Sequence, residues 1–542
     1  MADLVTADYI IIGGGLTGCV IASRLSQSAR KPKVVLLETG SDPSNNTAAK
    51  GFLTGLSLLG SEFDYSYQSE PVANTFNRTH GLNLGKALGG GSLLNYGGWL
   101  QADSADYDEW AKVVGDQRWS YEGLKPWFRK TENFYGLDGD TDEHGSNGPM
   151  YVTSVSASEG GGRQYPLREP VKQGWSELGV PSNMDKKHGK ITGLTEMWEN
   201  AREGMRQPSN IVYPLDGVEV FTNTTVRTVS FTDGTADGAV LSDGRKIAAR
   251  KEVIICAGAY GTPQVLMRSG LGPSSILKKY GIPIVHEAPS VGENLHDHFA
   301  IYLAFSLRDP SLGYAMGSPA WQGNPALFKG LSWDWVVSAP LPAEVMEKHN
   351  VEAKDHDRSL YEVITLYLAP GIPGIPIDGT HIATSTMLLR PTSRGRVSIQ
   401  SNDTNDPPRI EPNYYDSSLD RDTLIYATRQ TLKLMLATSS MSGIVEGESP
   451  PSGEGLDGLQ PLTADATDEA IEERIRRTGT QHHHSGGTAA MGKVVDTEGR
   501  VLGVRKLRCA DASILPIPLG GHPQATLYPM AEQLASMIIE DM

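Results

Sequence analysis

Cysteine is nearly absent: Cys19, Cys256 and Cys509 are the only three in 542 residues. Each sits in an apolar or small-residue run, which excludes a disulfide framework and reads as buried thiols. Basic residues are outnumbered, 48 Lys plus Arg against 64 Asp plus Glu, and the formal charge of -16 excludes a surface built to grip nucleic acid or an anionic membrane, because long-range repulsion opposes both. No apolar run is long enough to span a bilayer. The opening "MADLVTADYIIIGGG" lacks a basic stretch followed by an apolar core and a small-residue cleavage site, so the expectation is a cytoplasmic, unsecreted chain. Internal repeats and low-complexity segments are missing too. What is left is an ordinary globular composition, 39% hydrophobic and 21% charged, on a chain longer than one core needs.

The first positive signal is "DYIIIGGGLTGCVIASRLS". A short apolar strand over 9–12 runs into Gly13-Gly14-Gly15-Leu16-Thr17-Gly18 and then a helix of small and apolar residues. Glycines in this pattern allow a tight turn, close backbone approach to a pyrophosphate and close strand–helix packing, while the helix N-terminus offers donors and a positive dipole end. A second apolar strand over 33–38, "KVVLLETG", ends in Glu38, where an acid can take the ribose hydroxyls of an adenosine and repel a 2'-phosphate. NAD and FAD are served equally by these residues.

Two further stretches carry little alone. "GKALGGGSLLNYGGWLQADSADYDEWA" (85–111) holds a glycine cluster that lets backbone lie against a cofactor, yet it also suits a capped surface loop. "ICAGAYGTPQVLMRSGLGP" (255–273) is a buried strand, a small-residue turn and a helix. Taken together, they are similar to the two signature patterns of the glucose-methanol-choline (GMC) oxidoreductase family. "VGENLHDH" (291–298), "RPTSRGRVSIQSNDTNDPPRIEPNYY" and "LRCADASILPIPLGGHPQATLYPMAEQLA" (507–535) resemble further blocks of that family, in its order and over nearly the whole chain.

The resemblance implies FAD. It implies that Gly13, Gly15 and Gly18 approach the pyrophosphate, Glu38 the adenosine ribose and Val226 the adenine. Gly90, Ser92 and Asn95 line the pyrophosphate and flavin side, and Asp511 and Ala512 lie near the middle of the cofactor; a loop or helix cap is the competing reading of Asp511. Some family members bond a histidine just before the asparagine of the first signature to the flavin. That position is Leu94 in this sequence, so the implied FAD is non-covalent. After Asn95 the usual Gly-Met run is replaced by Tyr96-Gly97-Gly98-Trp99.

"TQHHHSGGTAAMG" places three of only 13 histidines side by side. In an extended chain His482 and His484 share a face and His483 does not, and no local Asp, Glu or Cys at ligand spacing completes a metal site, so none is expected. His484-Ser485-Gly486-Gly487-Thr488 resembles the family's HxxGT block, and His522 matches the position of its histidine or asparagine partner. The resemblance therefore implies His484 as the catalytic base and His522 as the hydrogen-bond donor to the forming alkoxide, the imidazole being suited to taking a hydroxyl proton. His482 and His483 read as wall or packing residues, and His298 as packing at a domain junction.

The fold expected is mixed α/β: a Rossmann-like FAD-binding domain interleaved with a substrate domain on an antiparallel sheet. Residues 1–298 are expected to be mostly FAD-binding and 299–480 mainly substrate-binding, with runs such as "HIATSTMLLRP" and "GRVSIQS" as roof strands; 481–542 return to the FAD domain with the active-site histidines. Tyr314, Trp321, Phe328, Trp333 and Trp335 suggest an aromatic-lined pocket or ordinary core packing in equal measure. The implied reaction is FAD-dependent oxidation of a primary or secondary, aromatic or aliphatic alcohol of a small molecule, with hydride to flavin N5 and reoxidation by O2 or another acceptor. A non-redox lyase or cyclase retaining FAD structurally is the alternative. Substrate, acceptor and oligomeric state are not readable from the sequence.

Overall fold

The computed structural model describes residues 6–135, 143–158, 163–184 and 187–542; residues 1–5 of the start read for a leader lie outside them. Among the described residues, most of the strand structure gathers into two seven-stranded sheets.

The first sheet grows from apolar runs that admit no exposed face. Thr6–Ile12 and Val34–Leu37 pair in parallel, Ile12 opposite Leu37, and both are almost wholly buried. Val218–Phe221 continues the parallel order on one side and Lys246–Ile255 on the other, with Ile12 opposite Ile255. Leu507–Cys509, from the far end of the chain, pairs in parallel with the last residues of Lys246–Ile255. Strands buried on both faces read as continuous Val/Ile/Leu runs, which is how a parallel sheet covered by helices must look. The covering helices are Leu16–Gln27, Gly258–Arg268 and Gln524–Glu540. The carboxyl ends of four parallel strands therefore open into Gly13, Glu38, Cys256 and Ala510, all along one edge, where ligands of such sheets bind.

The second sheet is antiparallel and forms a roof. Its order is Val445–Ser449, Phe299–Leu307, His381–Leu388, Tyr361–Leu366, Trp335–Ala339 and Gly193–Glu196, and the short strand Thr480–Gln481 pairs with the start of Phe299–Leu307. Register puts Tyr302 opposite Ser385 and Glu362 opposite Met387, so these four share one face. Helix Ser418–Ala437 packs on the other face, where Thr386 meets Thr431 at 2.8 Å.

The fold class read from the sequence is the one observed, and "HIATSTMLLRP" does supply a roof strand. "GRVSIQS" does not: Arg396–Ser398 pairs with Arg409–Glu411 in a separate two-stranded ribbon. The polar, proline-ended stretch between them closes a local hairpin, and nearby pairing costs less loop-closure entropy than joining the roof. Gly193–Glu196 joins the roof from well before residue 299. No helix among the described residues is long and apolar enough to cross a membrane.

Candidate active site

The nucleotide turn is built by backbone exclusion. Gly13 has φ of 105°, and a Cβ there would lie 2.4 Å from the Cys256 carbonyl oxygen, so no other residue fits. Gly15 is the N-cap of helix Leu16–Gln27, with no side-chain cap and no acid in the first turn, which leaves the helix N-terminal N–H groups and dipole end free for an anion. Gly18 packs instead under the turn, its α-carbon facing the Gly13 carbonyl. Gly90, with φ of 52°, closes on the turn from the opposite side: a Cβ would sit 2.7 Å from Gly15 Cα. A Cβ on Gly15 itself would meet nothing nearer than Gly90 Cα at 3.9 Å, and one on Gly91 or Gly258 nothing within 4 Å. An open groove thus runs along the carboxyl edge.

Glu38 is held at that edge by the N–H groups of Gly14 and Gly40, each at 2.7 Å and each on a different carboxylate oxygen. Burial pushes its pKa up even so. Val226 starts an adjoining strand and is buried opposite Leu241. Ser92 donates its hydroxyl to Gly89 O at 2.6 Å and accepts the Ser209 N–H at 2.9 Å. Asn95 donates to Gln524 Oε1 at 3.0 Å and accepts from Gly97 N. Asp511 caps the short turn Ala512–Ile514, accepting from Ser513 N at 2.7 Å, and its other oxygen holds Gly258 N at 2.9 Å and Thr262 Oγ1 at 2.6 Å. Its carboxylate is spent bracing the second strand–helix unit, as the cap reading has it. Ala512 O accepts the Gly487 N–H at 3.1 Å and so ties this turn to the histidine loop.

That loop is placed by strand pairing. Gln481 lies opposite Phe299, and His482 N donates to His298 O at 2.8 Å; beyond them, His296 and Gly486 exchange both backbone hydrogen bonds. Between these anchors His483 takes φ of 61° and turns out to solvent, while His482 and His484 stay half-buried with ring centroids 4.9 Å apart. His484 N donates to Asp297 Oδ1 at 2.8 Å; the other Asp297 oxygen accepts the Tyr414 hydroxyl at 3.0 Å, and burial raises this carboxyl to about 7. His484 Nδ1 lies 2.8 Å from His298 Nδ1, and His298 Nε2 lies 3.1 Å from Leu519 O. His482 Nε2 is 3.3 Å from Ser385 Oγ.

His522 faces this loop from the C-terminal segment. Its backbone N–H is fixed to Leu100 O at 2.8 Å, and the His484 and His522 ring centroids are 5.5 Å apart. Its Nε2 is 3.0 Å from Glu362 Oε1 on the roof, and Glu362 is fully buried. Desolvation, then the neighbouring imidazoles, push His484 well below the ordinary histidine range, so it is neutral. After desolvation, the largest influences on His484 and His482 come from the neighbouring histidines.

Sequence reasoning brought His484 and His522 to one place but missed Glu362 and treated His298 as packing. Asp297 and His298 stood in a block already singled out, and a glutamate in the otherwise apolar strand "YEVITL" was the available signal for Glu362. The aromatic run does not line one pocket: Trp321 and Trp335 lie in the roof core, Phe328 is exposed, and Trp333 meets Tyr96 edge-on at 6.5 Å.

A nucleotide edge roofed by an antiparallel sheet, with imidazoles between, defines a dinucleotide-dependent oxidoreductase class. The GMC oxidoreductase profiles match residues 7–300 and 391–531. The chain is 37% identical over 549 residues to the GMC-type oxidoreductase acuG of Aspergillus aculeatus, spanning 98% of this chain and 99% of that protein. It is 31% identical over 554 residues to oxygen-dependent choline dehydrogenase of Pseudomonas savastanoi pv. phaseolicola, over 98% and 93% of the two chains. A formate oxidase variant from Aspergillus oryzae RIB40 shares the fold, with a TM-score of 0.89 at 24% identity and 100% and 99% coverage. The chain belongs to the GMC oxidoreductase family, and its cofactor is FAD. The groove fits that cofactor: the uncapped helix end suits a pyrophosphate, Glu38 an adenosine ribose, and the glycine-floored edge leaves the width a Cβ would fill.

Proposed function

We propose that this chain oxidises a neutral or cationic primary or secondary alcohol of a small molecule, with His484 as catalytic base and His522 as the donor to the forming alkoxide. The observation that carries the reading is the facing His484–His522 pair, one half of it neutral and the other bound to a buried carboxylate. A base must be deprotonated before it can accept a hydroxyl proton, and the neutral His484 meets that condition. As the carbonyl forms, the O–H proton passes to His484 and the α-hydrogen leaves with the C–H electron pair. FAD, when bound, would supply the acceptor for that hydride, with O2 or another oxidant taking up the electrons in turn.

FAD would be held by the backbone of Gly13, Gly15 and Gly90 at its pyrophosphate, with Gly18 supporting the turn from beneath. Glu38 would take its ribose and Val226 its adenine. Ser92, Asn95, Asp511 and Ala512 would act mainly by shaping the wall beside it, since their side chains are engaged within the protein or lack polar atoms. Leu94 offers no group for covalent attachment, so the cofactor is bound non-covalently.

Glu362, buried beside His522, argues against an anionic substrate such as the formate of the structural relative and favours alcohols, including a cationic one such as the choline of the sequence relative. The test is anaerobic mixing of the purified flavoprotein with alcohols of graded size and charge, and with formate. Bleaching of the flavin by an alcohol and not by formate is expected, slowed by roughly a thousandfold in His484→Ala. Turnover of a substrate with an unchanged flavin spectrum, or reduction by formate alone, would refute the proposal.

A further inference from the structure

Two hydrogen bonds of the His298 ring, to Leu519 O and to His484, decide where the protons of the imidazole pair sit. A backbone carbonyl only accepts, so His298 Nε2, 3.1 Å from Leu519 O, carries a hydrogen. Complete burial pushes the His298 pKa down to about 3, so the ring is neutral and has no second proton. Its Nδ1 is then a lone pair, and the 2.8 Å contact with His484 Nδ1 requires the hydrogen to be donated by His484. A neutral His484 has spent its only N–H in that bond.

We propose that His298 is a positioning residue that holds His484 in the Nδ1–H tautomer, leaving the basic lone pair on Nε2. The proposal rests on His484 being the base and adds which of its nitrogens acts and what enforces the choice. The parts are rigid where the task needs rigidity. His298 is fixed by the His482 N–H on its carbonyl and immediately precedes the roof strand Phe299–Leu307, while the residue before it, Asp297, grips the His484 backbone N–H at 2.8 Å. One dipeptide therefore sets both the position of His484 and the direction of its ring, the rings meeting edge to face at 82°. The arrangement obeys the logic by which an acceptor behind a catalytic imidazole selects its tautomer, but the acceptor is a second neutral imidazole and no charge is added.

The test uses the FAD-loaded enzyme and three variants. His298→Leu fills the space without an acceptor, His298→Asn puts an amide oxygen where Nδ1 stood, and His484→Ala is the control. Expected is a roughly hundredfold fall in kcat for His298→Leu with KM and FAD content unchanged, and recovery of most of that loss in His298→Asn. Nitrogen NMR of imidazole-labelled protein reads the tautomer directly: the His484 hydrogen is expected on Nδ1 in the wild type and on both nitrogens in His298→Leu. Wild-type kcat in His298→Leu alongside an inactive His484→Ala would overturn the proposal while sparing the base. An active His484→Ala would instead remove the base assignment, and the spectra alone would then decide the tautomer. If His298→Leu does not fold, a wild-type spectrum with the hydrogen on Nε2 is sufficient to overturn it.

Discussion

At His522 the hydrogen bond to Glu362 is the only one the buried carboxylate makes, since Glu362 Oε2 has no partner among the described protein atoms. A carboxylate taken out of water is tolerated when a nearby positive or donating group answers it, and here the responding group is His522. The pair therefore orients the ring through its Nε2–H, and a donor role in the site falls to Nδ1, which must carry a hydrogen as well. Glu362→Gln keeps an oxygen near Nε2 and removes the charge; kcat/KM for the best alcohol is expected to fall by roughly tenfold to a hundredfold, and further in Glu362→Ala, which leaves Nε2 without an acceptor. Steady-state kinetics of both variants are the check, and wild-type values in both would show that the carboxylate plays no part in the reaction.

Among the elements, the short helix Gly91–Leu94 and the bend behind it matter most, because the departure at Tyr96-Gly97-Gly98-Trp99 has a steric reason. A Cβ on Gly98 would lie 2.8 Å from His522 Nδ1 and 3.2 Å from its Cε1, while Gln524 Nε2 holds Gly98 O at 2.7 Å from the same segment that carries His522. Gly98 has no positive φ, so Gly98→Ala strains no backbone and acts only by displacing the ring. A displacement near an ångström is expected to lower kcat by roughly a hundredfold with FAD content and melting temperature unchanged, which kinetics and calorimetry on one preparation would test. The elements themselves were legible in the sequence wherever their cause was local: apolar runs ended by glycine gave away Thr6–Ile12 with its helix and Lys246–Ile255 with Gly258–Arg268. His484 was legible through its resemblance to a family block. Glu362 and His298 were not, because their contacts reach across 160 and 186 residues, and periodicity tells which face a side chain takes but not what it meets there.

For the whole molecule, burying so many imidazoles has a thermodynamic consequence that opposes that of buried acids such as Asp297. His80, His296 and His298 are each driven by burial from 6.5 to about 3. Below pH 6.5 the unfolded chain protonates at these positions and the native chain does not, so the unfolded state binds more protons and stability falls as pH falls, by about 1.36 kcal/mol per pH unit for each fully engaged histidine. Asp297 works the other way: raised from 3.8 to about 7, it stays protonated in the native chain while the unfolded chain ionises, so its stabilisation is lost as pH rises through that window. With His482, His483 and His484 lowered as well, six histidines stand against Asp297 and Asp334, the latter raised to about 6, and the balance is a loss of stability on acidification. The melting temperature of the FAD-saturated protein is therefore expected to drop from about pH 6.5 to about pH 5, with His80→Gln flattening the drop by about one proton and Asp297→Asn steepening it by removing the opposing contribution. His80 is suited to the comparison because its ring bonds Thr75 Oγ1 at 2.9 Å and packs edge-on against Phe299 and Tyr414 rather than against His484 or His522. A melting temperature that rises on acidification, or identical slopes in all three proteins, would mean that these side chains are solvated in the native state and that the site is far wetter than its packing implies.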